Sequence, residues 1–204
     1  MAVSPQRFEA QGFEVLYDHC GIVVINKAFS IPSQPNKRGD VDVYTQLKER
    51  YDYVGQHHRL DQPASGLLLF TTTKSHNLLI SQAFKEHHIK RSYWIWVVGE
   101  PNATGSWKQQ LDGKRAHTDF ERLNCKDGLS HLKVTLQTGR THQIRRHAQM
   151  SGYPIIGDRR YGGAAKRLWP RLALHAHRLE FVHPSTDDTI VVESPLPQDL
   201  HNIL

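Results

Sequence analysis

Apolar residues along this chain fall in many short runs, each closed by turn-forming residues. Phe13 to Tyr17 and Ile22 to Ile25 are brief apolar stretches separated by Asp18-His19-Cys20-Gly21, a pattern that predicts a β-hairpin. Leu67 to Phe70 reads as a buried strand. From Arg91 to Val98, Tyr93, Ile95 and Val97 fall on one face and Trp94, Trp96 and Val98 on the other. With both faces apolar, this is expected to be a central strand. Further strands are predicted at about 116–123 and 130–137, then at Leu174 to Val182 and Thr189 to Glu193.

Helical spacing is scarcer. Tyr44, Leu47 and Tyr51 suggest a short helix within 41–53. Thr73 or Ser75 can cap a helix reaching about His87, with Leu79/Ala83 and Ile80/Phe84 as i,i+4 pairs. Thr141 to Met150 reads as a short basic helix closed by Gly152. Pro32 to Asp40, Glu100 to Gly113 and Gly157 to Gly162 read as loops. Many short strands, few helices and no regular βαβ alternation predict an α+β fold built on a mixed, largely antiparallel sheet. Its strands are expected in two adjoining lobes with flanking helices and an active cleft between them. Residues 1–12 are polar and read as a flexible arm, leaving 13–204 as a single domain.

Charge narrows the class of partner. The net charge is +6 and the pI near 9.4, which fits a polyanionic partner, most simply nucleic acid; the alternative is a solvated basic surface with no partner. The longest apolar runs span only a few residues, so no membrane crossing is expected. The start has no secretory signal, and the chain is expected to be cytoplasmic. Cys20 and Cys125 lie far apart and show no zinc spacing; free, buried thiols are expected rather than a disulfide. His175 and His177 share a strand face, but no supporting ligand pattern accompanies them, and no metal is expected. Neither a Walker loop nor a GxGxxG motif is present, so no nucleotide cofactor is expected.

Two segments carry the candidate chemistry. In His58-Arg59-Leu60-Asp61-Gln62-Pro63-Ala64-Ser65-Gly66, a carboxylate stands where a turn enters an apolar strand, so Asp61 is expected to be half-buried. A bare carboxylate is costly there unless a cation meets it. A lone loop aspartate ordinarily pairs locally or caps a turn, and Arg59 offers that pairing. The second segment, Gly139-Arg140-Thr141-His142-Gln143-Ile144-Arg145-Arg146-His147, is dense in cations without alternating acids, so i,i+4 pairing does not account for it. A carboxylate met by a guanidinium stays ionised, which suits a nucleophile or general base. Tyr93, behind Lys90 and Arg91, is ordinarily a core residue in such a strand; the alternative is a plate for stacking on a base, with phosphate contacts on either side.

Taken together these residues resemble the RluA-type pseudouridine synthases. The family segment H-R-L-D-x-x-T-S-G is matched by His58 to Gly66, its K/R-x-Y strand start by Arg91-Ser92-Tyr93, and T-G-R-T/S-H-Q-I/L-R by Thr138 to Arg145. G-D-x-x-Y-G is matched by Gly157 to Gly162, L-H-A by Leu174 to Ala176, and the opening strands by Val24-Ile25-Asn26-Lys27. The match runs in order from about Phe13 to Pro195. The resemblance implies that Asp61 acts on a target uridine so that the glycosidic bond breaks and C5 rejoins the ribose. It leaves open whether the carboxylate attacks the sugar or removes a sugar proton. It implies that Tyr93 stacks on the uracil, that Arg140 pairs with the aspartate, and that Arg59 fills the space left by the flipped base. His58, Lys90, Arg91, His142, Gln143 and Arg145 are expected to face the RNA, an rRNA or tRNA, with a monomeric enzyme and no cofactor. Ala64 stands where the family often has Thr, and Ala28 where Pro follows the Asn-Lys pair. Only about a dozen residues precede Phe13, so the small N-terminal RNA-binding domain of many relatives is not expected. The alternatives are an RNA-binding or chaperone protein with this fold and little catalysis, and, least favoured, a metal-dependent nucleic-acid hydrolase.

Overall fold

A computed structural model of the chain describes residues 11–203. The expected arm over 1–12 lies almost wholly outside them. The chain divides into two compact units, one running to Ile89 and taking up Arg178–Ser194, the other comprising Lys90–His177 and the segment from Pro195 onward.

In the first unit, β1 (Phe13–His19) and β2 (Ile22–Lys27) form the expected hairpin. Its two-residue turn places Cys20 and Gly21 at φ 43° and 80°, the left-handed pair that fits the strand twist. Helix α1 (Val43–Arg50) starts later than the apolar spacing suggests because Asp42 caps it, accepting from the Thr45 N–H at 2.9 Å. Strand β3 (Gly55–Gln56) and strand β4 (Ser65–Thr71) follow; β4 is buried along its whole length and pairs antiparallel with β2 and β3. Helix α2 (Lys74–Lys85) turns Ile80 and His76 inward. The core joins Ile22, Val24, Leu67, Leu69 and Ile80 to residues from the unit's last strands, among them Leu179, Phe181 and Val192.

In the second unit, β5 (Lys90–Val98), β6 (Thr104–Trp107), β7 (Thr118–Lys126) and β8 (Leu129–Leu136) pair antiparallel in the order β5-β8-β7-β6. Helix α3 (Gln143–Met150) begins two residues after the expected start, because His142 adopts a left-handed φ of 53° and ends the preceding turn. A 3₁₀ turn spans Gly163–Arg167. Gly157 has a φ of 71°, and a Cβ there would stand 1.8 Å from the Arg171 carbonyl oxygen, so only glycine fits.

Strand β9 (Leu174–Val182) runs from the second unit into the first, where its end pairs with β10 (Thr189–Glu193). Helix α4 (Gln198–His201) follows in the second unit, where Arg171 holds Asp199 through two hydrogen bonds of 2.6 and 2.9 Å. The class is α+β with a mixed, mostly antiparallel sheet and few helices, as expected. No helix among the described residues is long and apolar enough to cross a membrane. Cys20 and Cys125 are free thiols, but Cys20 is exposed and Cys125 partly so, contrary to the burial expected.

Candidate active site

Asp61 is half-buried on a tight turn in which its carbonyl accepts from the Ala64 N–H at 2.9 Å. The turn is pinned from several sides. Ser33 Oγ donates to the Leu60 carbonyl at 2.9 Å and accepts from the Leu60 N–H at 3.1 Å. Gln62 Nε2 donates to the Ser30 carbonyl at 2.8 Å. His58 Nε2 accepts from the Leu69 N–H at 2.9 Å, and its ring stacks on Phe84 at 4.6 Å. His58 therefore ties the turn to β4. Arg59 is exposed.

The strongest anchor is a lysine that pattern reading treats as the end of a strand. Lys27 is fully buried, and its ammonium donates to the carbonyls of Ala64 (2.6 Å), Ala28 (2.8 Å), Ile31 (2.8 Å) and Gln62 (3.3 Å). Two of these carbonyls belong to the residues just after Asp61. Charge-assisted bonds of this kind are roughly twice as strong as neutral ones. They fix the backbone that carries the carboxylate.

In the second unit Tyr93 is 6% exposed on β5, opposite Val134 of β8. Lys90 is exposed, but Arg91 is buried. Arg91 lies against the Gly139 turn, where an added Cβ would come within 3.3 Å of its guanidinium. Arg140 is exposed, and its Nε donates to the Arg115 carbonyl at 3.1 Å. His142 Nδ1 lies 2.9 Å from the Tyr161 hydroxyl.

Besides Arg91, two more residues expected to face RNA are turned into the fold. Arg145 is 6% exposed and grips Asp158 through Nε and Nη2, both at 2.8 Å, with its guanidinium carbon 5.0 Å from the Tyr161 ring centroid. Burial pushes the Asp158 carboxyl up. The Arg145 bonds and the backbone N–H groups of Tyr161 and Arg160 outweigh it, holding the group below the usual carboxylate range. Gln143 is 3% exposed and bonds only to its own unit. The basic run does have acid partners, but they are distant in sequence. Asp158 takes Arg145, and Asp112 takes Arg146 through bonds of 2.8 and 3.0 Å. His175 and His177 are accounted for as ring neighbours of Trp94; the His177 ring lies parallel to it at 4.0 Å. Among the described residues, no group of three or more His, Cys, Asp or Glu side chains could hold a metal ion.

Residues 21–150 match a family model described as RNA pseudouridylate synthase. The chain is 32% identical over 214 residues to the uncharacterized RNA pseudouridine synthase YhcT of Bacillus subtilis, covering 93% of this chain and 70% of that protein. It is 32% identical over 197 residues to the dual-specificity RNA pseudouridine synthase RluA of Haemophilus influenzae, covering 87% and 90%. Among solved structures, human RNA Pseudouridylate Synthase Domain Containing 1 superposes with a TM-score of 0.76 at 24% identity, over 92% of this chain and 84% of that one, which supports the fold.

Proposed function

The chain belongs to the RluA-type RNA pseudouridine synthases and is an isomerase of uridine in RNA, and from that premise we propose that Asp61 carries the reaction, with Tyr93 and Arg140 acting on the same nucleotide. What supports this reading is the Lys27 clamp: a fully buried cation is committed to the carbonyls of the turn that presents Asp61. Preorganised backbone around a half-buried carboxylate is what a reacting group needs and what a surface aspartate lacks.

Uridine and pseudouridine contain the same atoms. The N1–C1′ bond breaks, the uracil turns, C5 bonds to C1′, and the proton on C5 is lost while N1 gains one. A stacked uridine cannot offer its sugar to a carboxylate, so the nucleotide must be flipped out at a cost of a few kcal/mol. Arg59, exposed two residues before Asp61, fills the vacated stack. Asp61 serves the break by attack on the sugar or by removal of a sugar proton. Tyr93 stacks on the freed base, and its hydroxyl helps take the C5 proton. Arg140, an exposed guanidinium, is the cation we assign to the same reaction. Exposed Lys90 and the surrounding basic surface offset the cost of flipping by releasing counterions from phosphates. The substrate is a structured rRNA or tRNA, and the enzyme acts as a cytoplasmic monomer.

The test is to map pseudouridine in RNA from cells lacking this protein, before and after incubation with the purified chain. A uridine that becomes pseudouridine only after incubation is the expected result. No new pseudouridine in any rRNA or tRNA would overturn the substrate assignment.

A further inference from the structure

Gln143 braces the Gly139–Arg140 turn. Gln143 uses all four of its hydrogen-bonding positions. Its Oε1 accepts from the Arg140 backbone N–H at 2.9 Å and from the Thr138 hydroxyl at 2.7 Å. Its Nε2 donates to the His117 carbonyl and to Thr118 Oγ1, both at 2.9 Å. The amide can stand only this way round, since a flip would set its NH₂ against the Arg140 N–H and its oxygen against the His117 carbonyl. The bonding continues inward: Thr118 Oγ1 meets His147 Nδ1 at 2.9 Å, and His147 Nε2 donates to the Gln109 carbonyl at 2.9 Å. Thr118 and His147 are both fully buried. On the other side, Thr138 Oγ1 accepts from the His117 N–H at 2.9 Å. Arg140 is thus fixed at its backbone by Gln143 and at Nε by the Arg115 carbonyl, while its exposed guanidinium keeps both amino groups for a ligand.

We propose that Gln143 is a positioning residue for Arg140: it sets where the guanidinium stands toward the reacting uridine and does not itself touch RNA. This rests on the assignment of Arg140 to the reaction. A buried amide with every position satisfied has nothing left to offer a base or phosphate, and losing it releases the backbone on which the guanidinium stands. Displacing a reacting group by about 1 Å costs on the order of 10²-fold in rate.

The experiment measures single-turnover tritium release from bulk RNA labelled with 5-tritiated uridine, purified from a strain lacking this protein, using the full chain in excess. Gln143→Ala is expected to slow the rate constant by roughly 30- to 100-fold while the half-saturating protein concentration stays within about twofold and the salt slope of binding is unchanged. Combined with Arg140→Ala, it should add nothing to the loss from Arg140→Ala alone. Gln143→Glu sets an anionic oxygen against the His117 carbonyl, so it should be slow at pH 8. Burial at this position raises the introduced carboxyl's pKa, so turnover should recover toward wild type as the pH is lowered to 6 and the protonated form regains a donor. A raised half-saturation point with an intact rate constant would overturn the proposal in favour of RNA contact, and additive losses would reduce the residue to a fold determinant. If Arg140→Ala is slow and Gln143→Ala is not, this inference alone fails. Wild-type turnover by Arg140→Ala removes the assignment beneath it. Should Gln143→Ala not fold, the pH response of Gln143→Glu decides, and no recovery between pH 8 and 6 overturns the proposal.

Discussion

Replacing Lys27 by methionine keeps most of the stem's volume and removes the ammonium. Four backbone carbonyls then lose a donor, three of them held at 2.6 to 2.8 Å. An orphaned buried acceptor costs about 1–3 kcal/mol, and removing one member of a buried charged set about 3–5 kcal/mol. The Ala64 carbonyl sits in a turn closed by buried Ala64 and Ser65, where water does not readily replace the lysine. The gain from no longer burying an ammonium offsets part of the loss, so about 3 kcal/mol of net destabilisation is expected. With a urea slope of about 2 kcal/mol/M for a chain this size, the midpoint should fall by about 1.5 M. The assay is urea unfolding followed by far-UV circular dichroism, because all four tryptophans (residues 94, 96, 107 and 169) lie in the second unit and would under-report Lys27. Turnover of the still-folded variant should fall as well, because the Asp61 turn relaxes. Gln62→Ala, which deletes two exposed bonds, to the Ser30 carbonyl at 2.8 Å and the Asp40 carboxylate at 3.4 Å, should move the midpoint by less than about 0.3 M. A Lys27→Met midpoint within about 0.5 M of wild type, with normal turnover, would refute the argument that the buried cation organises the turn.

Arg145→Leu leaves the buried Asp158 carboxylate unpaired and should cost about 3–5 kcal/mol in the same unfolding assay. The salt slope of its RNA binding should stay unchanged, whereas a stable variant whose slope drops by about one ion would return Arg145 to the RNA surface. Burial pushes the His57 and His131 imidazoles down to about 4. Their folded values lie below the unfolded value of about 6.5, so the stability they lend is complete above pH 6.5 and lost as pH falls toward 4. The urea midpoint should therefore drop between pH 7.5 and 5, and less so in His131→Leu; equal drops in the two proteins would contradict the burial argument. Tyr93→Phe should retain RNA binding and lose turnover, and full turnover would remove the hydroxyl from proton transfer.

Strand periodicity carried much of the fold into view. β9 and β10 fall where alternation places them, and β5 gains only Lys90. Strand β6 was hidden because Thr104–Trp107 contains Gly105 and follows Pro101 and Asn102, residues that locally favour turns, while its pairing with β7 comes from tertiary structure. The two-residue β3 leaves no periodic trace. In the candidate site, side-chain chemistry is what marks Asp61 beside Arg59, and Arg140, in the sequence. The site was illegible where the partner is backbone, since carbonyl oxygens around Lys27 have no sequence signature. The acids that absorb Arg145 and Arg146 lie 13 and 34 residues away, beyond any helical spacing rule. Gln143, read as an edge for RNA, is instead consumed by its own turn.

The central claim is that one carboxylate performs the isomerisation. Asp61→Asn preserves shape and removes charge, so the decisive measurement is pseudouridine formation and RNA binding by this variant on the same RNA as wild type. The account predicts wild-type affinity with turnover lost by at least about four orders of magnitude, the scale at which removal of an essential reacting group is seen. Turnover within tenfold of wild type would contradict it.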